Sequence, residues 1–121
     1  MKIAVVLPTR GLVFTEVEQA IENAKLKYDI EVFRSFNLGI PESHNQLTIQ
    51  ALVSNPDYIW YIEEDTVPPD LALDDLLKAK ADVAFIDYAI NGWGCAARYT
   101  DGEILWCGLG CTLVKREVFD N

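Results

Sequence analysis

Four apolar runs, parted by stretches of helical periodicity, constrain this chain more than any other feature. "IAVVL" at 3–7 is a continuous, mostly β-branched run, the pattern of a strand buried on both faces. Thr15 and Glu18 have capping-box spacing, and Val17, Ala20, Ile21 and Ala24 then share one face, which predicts an amphipathic helix over 15–27. "DIEVFRSF" at 29–36 alternates as a second strand, and 42–54 reads as a second helix with Leu47, Ala51 and Leu52 inward. Tyr58–Ile62 is a third strand, Asp70 is placed to cap a helix over 71–79, and "DVAFID" at 82–87 is a fourth strand. Strands alternating with helices predict a parallel sheet with helices packed on it. The tail differs. Two apolar runs surround Asp101-Gly102, a hairpin-turn signal, a further strand is expected at 111–114, and "REVFDN" reads as a first helical turn. With 121 residues and no linker or repeat, 1–121 is expected to be a single domain.

Charge narrows the partners. The chain carries 19 acidic against 10 basic residues, a formal net charge of −9, and no cluster of Lys or Arg forms a basic face. Non-specific nucleic-acid binding and attachment to anionic membranes are therefore not expected. An acidic protein that binds phosphates needs a metal ion or backbone N–H groups to do so. "MKIAVVLP" is too short for a signal-peptide core or a membrane span. Cys95, Cys107 and Cys111 form neither a CxxC pair nor an even set, so small buried thiols in a reduced, cytoplasmic protein are the expectation.

The third strand runs into Glu63, Glu64 and Asp65, and Pro68-Pro69 follow. In open α/β sheets ligands bind beyond the carboxyl ends of the strands, which here are Pro8–Gly11, Ser35–Gly39, Glu63–Asp65 and Asp87–Asn91. Residues two apart in extended chain point the same way, so Glu63 and Asp65 can share one ligand while Glu64 points elsewhere. A cation between two carboxylates removes their repulsion, and oxygen-only ligands suit Mg²⁺ or Mn²⁺, which also bind phosphate oxygens. The alternative is a solvated acidic loop. The two prolines, which stiffen the loop, favour the first reading.

"YIWYIEEDTVPPDLALDDLL" resembles the DXD segment of GT-A glycosyltransferases, especially family 2-like enzymes, with Glu63 in place of the usual first Asp. "IAVVLPTRG" is similar to that family's first strand and nucleotide-contacting loop, "IPESHNQLTIQAL" to its Asn-containing helix start, and "WCGLGCTLVKREVF" to the stretch that closes its donor-sugar pocket. The resemblance covers almost the whole chain. It implies a GT-A, Rossmann-like, mostly parallel sheet flanked by helices with a C-terminal β-hairpin, here minimal or truncated. It also implies metal-dependent transfer of a sugar from a UDP- or GDP-linked donor to an unknown glycan or other acceptor hydroxyl, with inversion. On this pattern Asp65 and Glu63 hold Mn²⁺ or Mg²⁺. Pro8, Thr9, Arg10, Asn45 and Glu64 contact the nucleotide. Gly108 and Gly110 match the stretch that closes the sugar pocket, and His44, Asp87, Trp93 and Trp106 are further candidates for that pocket from their own positions in the chain. The second strand lacks the acid such enzymes place at its end, and the segment that usually carries the catalytic base has no counterpart before Asn121. The base is therefore unassigned, and a partner or second copy completing the site is one expectation.

Individual residues keep alternative roles. His44 reads as a helix cap or a site group, and Arg10 as a solvated charge or a fork for a diphosphate. Trp93 and Trp106 read as hairpin packing or as platforms for a sugar face. Two rival functions remain beside transfer. One is a non-catalytic nucleotide-sugar-binding module or a partner-dependent subunit. The other is nucleotidyl transfer, disfavoured because "PTRGLVF" has one Gly and is not a Gly-rich, basic phosphate loop.

Overall fold

The computed structural model describes residues 1–36, 40–86, 97–100 and 103–120. The chain runs β1 (Lys2–Thr9), α1 (Thr15–Lys25), β2 (Asp29–Phe36), α2 (Ile40–Val53), β3 (Tyr58–Ile62), α3 (Ala72–Lys78), β4 (Val83–Phe85), β5 (Ala97–Thr100), β6 (Glu103–Cys107) and β7 (Cys111–Lys115), then a 3-10 turn at Arg116–Phe119. No helix among the described residues is long and apolar enough to cross a membrane.

Strand β1 is the axis of the molecule. Ile3–Leu7 are all fully buried, because the strand is covered on both faces. Ile3, Val5 and Leu7 pack with Val17 and Ile21 of α1, Leu73 and Leu76 of α3, Trp60 and Leu113. Ala4 and Val6 face the other way, against Leu47 and Ala51 of α2, with Ile59, Tyr61 and Val114. Each fully buried Val, Leu or Ile contributes about 1.5–3 kcal/mol, so both layers are needed to hold a chain of this size. Helices α1 and α3 thus cover one face of the sheet and α2 the other.

The five-stranded sheet has the order β2-β1-β3-β7-β4. Strand β1 pairs in parallel with β2 (Val5 opposite Val32) and with β3 (Val5 opposite Trp60). The path steps from β1 outward to β2 through α1, then back past β1 to β3 through α2. The strand order therefore reverses at β1, and the loops after β1 and β3 part to leave a crevice.

Beyond β3 the expected fold class fails. The sheet is mixed, not a mostly parallel GT-A, Rossmann-like sheet. Strand β7 enters between β3 and β4 and runs antiparallel to both, with Trp60 opposite Leu113 and Ala84 opposite Leu113. Helical crossovers enforce parallel neighbours only where a helix joins two strands. Strand β7 follows an antiparallel ribbon, so nothing dictates its direction locally. Its buried Cys111–Val114 run fits an interior slot. Strand β4 is pushed to the edge and shortens to three residues, with Val83 exposed. The expected hairpin is present as a two-stranded ribbon of β5 and β6, with an irregularity at Arg98/Tyr99. Its Asp101-Gly102 turn lies outside the described residues.

Two expected caps are also corrected. Helix α1 starts at Thr15 as expected, but its N-cap is Phe14 rather than Thr15, with no side-chain cap bond. The Phe14 N–H donates to the Glu64 carbonyl (2.9 Å), and the Phe14 carbonyl accepts from Val17 and Glu18. Glu18 instead pairs with Arg34 (2.5 Å). Helix α3 is capped by Leu71 in the left-handed region (φ 63°), again without a side-chain bond from Asp70.

Candidate functional site

The crevice between the ends of β1 and β3 holds a cavity of about 180 Å³. Strand β1 delivers Pro8, Thr9 and Arg10, strand β3 delivers Glu63, Glu64 and Asp65, and the start of α2 supplies Ser43 and His44. Seven of these residues are expected from sequence, although they come from three separate segments.

Glu64 ties two walls together. Its Oε2 accepts from the Thr9 hydroxyl (2.8 Å) and the Arg10 main-chain N–H (2.9 Å), and its Oε1 accepts from Arg10 Nε (2.8 Å). The Gly11 N–H donates to Thr9 Oγ1 (3.0 Å), so the chain turns sharply after Arg10; Gly11 makes that turn at φ +114°. The Arg10 main-chain N–H, and then its side chain and Thr9, hold the Glu64 carboxyl below the ordinary carboxylate range. Reciprocally, the bond to Glu64 raises the Arg10 guanidinium, and the nearby charge of Asp65 adds to the effect.

Glu63 begins the loop where β3 stops, and its N–H donates to the Gly110 carbonyl (3.3 Å). Gly108 and Gly110 lie in the bend before β7, next to the acidic loop and outside the cavity wall; the Gly108 carbonyl accepts from the Thr112 hydroxyl (2.8 Å). His44 lies 5.9 Å from the Tyr61 ring at an interplanar angle of 51°. The Tyr61 hydroxyl bonds Thr48 Oγ1 (2.7 Å), and burial pushes this phenol up. Burial also raises the Cys107 and Cys111 thiols, which are unbridged.

Other expected site residues fall elsewhere. Asn45 is exposed and does not line the cleft. Asp87 and Trp93 lie outside the described residues, as does Cys95. Trp106 sits on β6 opposite Arg98, with its side chain outside the description. Ser43, 2 % exposed, is the cleft residue that the sequence reading missed. Its neighbour His44 was singled out, and α2 begins early enough to bring both to the cavity.

Among the described residues no group of three or more His, Cys, Asp or Glu side chains is placed to hold a metal ion. Glu63, Glu64 and Asp65 all line the cleft, and Glu64 is held by Thr9 and Arg10. Two carboxylates do not make a zinc or calcium cage. They do fit a hard cation that keeps waters and takes its other ligands from phosphate oxygens.

No protein-family model matches the chain, and no curated protein matches it. Among solved structures it is similar to the crystal structure of A197 from STIV, with a TM-score of 0.76 and 20 % identity over 100 % of this chain and 68 % of that one. At that identity the likeness speaks to the fold alone.

Proposed function

We propose that the chain binds the diphosphate of a nucleotide-diphosphate sugar in the β1–β3 crevice, beside a divalent cation, and transfers the sugar to an acceptor hydroxyl. One observation carries this reading. Groups 54 and 55 residues apart in sequence, Arg10 and Thr9 on one side and Glu64 of the acidic loop on the other, meet where the strand order reverses. That is the place where open sheets bind nucleotides.

Charge explains the cation. Glu63, Glu64 and Asp65 against Arg10 make a formal charge of −2 for these four residues. A diphosphate entering alone is repelled. Glu63 and Asp65 would hold Mg²⁺ or Mn²⁺, which neutralises the leaving diphosphate as a Lewis acid when bound. The residues of β1 line the approach of the nucleotide, and Arg10 supplies N–H donors to its phosphates. In the transfer, the bond from the anomeric carbon to the β-phosphate oxygen breaks. The acceptor oxygen bonds that carbon, and its proton passes to a base.

A second reading is a nucleotide-sugar-binding module, or a subunit that needs a partner for turnover. Among the described residues of the cleft, Glu63 and Asp65 are assigned to the cation and Glu64 to Arg10, so no carboxylate remains to accept the proton. Isothermal titration of UDP- and GDP-sugars with Mn²⁺, beside an assay for released nucleoside diphosphate, separates the readings. Binding with release supports transfer, and binding without release supports the module. No binding with or without Mn²⁺ removes both.

A further inference from the structure

Arg10 stands out within the cleft because it is exposed yet fixed. Its side chain is 79 % exposed, while the Glu64 side chain that holds it is 13 % exposed. An exposed arginine normally samples many rotamers, and ordering it opposes binding. Here Glu64 grips the residue twice, at the main-chain N–H and at Nε. The two terminal nitrogens, Nη1 and Nη2, bond no described residue and remain for an incoming anion. Lysine could not do this, because it has no inner donor to be held by while the outer donors bind.

Glu64 is itself fixed. Its carbonyl accepts from Phe14, the N-cap of α1, and Oε2 accepts from the buried Thr9 hydroxyl. The acid is thus tied to both ends of the 9–14 loop. This gives the middle residue of Glu63-Glu64-Asp65 a task distinct from its neighbours.

We propose that Glu64 is a positioning residue that clasps Arg10 through Nε, so that Nη1 and Nη2 form a preorganised fork for the diphosphate; this rests on the nucleotide reading above. Glu64 touches neither the cation nor the ligand. Its effect on binding therefore passes through Arg10.

The test is a double-mutant cycle, with magnesium pyrophosphate, Mg-UDP and Mg-GDP titrated calorimetrically into wild type, Arg10→Ala, Arg10→Lys, Glu64→Gln and the Arg10→Ala/Glu64→Gln pair. Arg10→Ala is expected to weaken pyrophosphate binding about 10- to 100-fold, the usual loss for a charge-assisted bond. Glu64→Gln is expected to weaken it about tenfold in the wild-type background and less than about twofold once Arg10 is absent. Arg10→Lys is expected to bind nearly as weakly as Arg10→Ala. Equal losses from Glu64→Gln in both backgrounds, wild-type affinity in Glu64→Gln, or wild-type affinity in Arg10→Lys overturns the clasp. Should Glu64→Gln lose its far-UV dichroism, the Lys and Ala variants at the exposed Arg10 decide alone. Coupled pyrophosphate binding with no binding of UDP or GDP leaves the clasp standing and removes the donor reading. Nucleotide binding without coupling does the reverse, and binding of neither probe overturns both.

Discussion

Two concavities among the described residues differ in size and in lining. A groove of about 600 Å³ runs between α1 and the Pro68-Pro69 loop that leads into α3. The crevice at the ends of β1 and β3 has less than a third of that volume, about 180 Å³. Size alone favours the groove as a ligand site. Its lining argues otherwise. Ala20, Ala24 and Ala72 are small, and Trp60 beneath them is 1 % exposed, so the groove is the seam where two helices fail to close over the sheet. Its central acid is already matched, since Asp74 accepts from the Tyr28 hydroxyl and from Lys27 Nζ (3.1 Å). The crevice instead gathers polar and charged side chains from three segments, and the terminal nitrogens of Arg10 bond no described residue. Convergent chemistry at a topological switch, rather than volume, marks the candidate site.

Substitutions can break this contrast. Trp60 supports the groove from below and packs between β1 and β7, so Trp60→Ala should lower stability by about 3–5 kcal/mol. Urea unfolding followed by far-UV dichroism checks this, and a loss below about 1 kcal/mol would mean that the groove floor is not core. Asp65 is exposed and lines the crevice, so Asp65→Ala should move stability by no more than about 0.5 kcal/mol. The same change should weaken Mn²⁺-dependent UDP binding by roughly 100-fold, the scale of losing a charged ligand to a cation. Unaltered affinity in this variant would remove the cation from the crevice.

Acid should affect the two regions unequally. The Glu64 carboxyl is held low, first by the Arg10 N–H, and the Asp74 carboxyl is held low, first by the Tyr28 hydroxyl and then by Lys27. A carboxylate with a lowered folded pKa contributes stability above its unfolded value, about 4, and loses it as pH falls through the folded value. Both groups therefore weaken the fold on acidification below about pH 4. Glu64, the less exposed of the two (13 % against 21 %), should account for more of the slope. Unfolding free energies measured at intervals from about pH 6 to about pH 2 should show Glu64→Gln flattening the profile more than Asp74→Asn. The opposite ranking would make the groove's acid the stronger clamp.

How much was legible in the sequence follows the range of the forces involved. Strands β2 and β3 were read to the residue, because alternation and apolar runs are local signals. The strand-end loops followed from the β-α alternation, and with them most of the crevice. Strand β7 was legible as a strand but not in its slot, because its pairing with β4 spans 27 to 31 positions and its pairing with β3 spans 49 to 57. Reading Thr15 as a cap failed for a similar reason: Phe14 is anchored by the carbonyl of Glu64, which no local pattern reveals. The two-residue alternation predicts that Glu64 points away from Glu63 and Asp65, yet all three line the crevice. It did not indicate that Thr9 and Arg10 would be what Glu64 holds.

The smallest expected effects come from the backbone, and they set the two regions side by side once more. Gly11 turns the crevice loop at φ +114°, where open space surrounds the place of a Cβ, so any cost of Gly11→Ala is conformational rather than steric crowding. That cost should be about 1–2 kcal/mol. Leu71, on the groove rim, holds a left-handed φ of 63° and is 62 % exposed. The chain already uses an asparagine for the same geometry at Asn55 (φ 55°). Asparagine tolerates that region better than leucine, and little packing is lost, so Leu71→Asn should raise stability by about 0.5 kcal/mol. Paired unfolding curves check both signs. If Leu71→Asn destabilises the protein while Gly11→Ala does not, the groove rim is the more finely built surface, and the preference for the crevice as the functional site loses its support from the backbone.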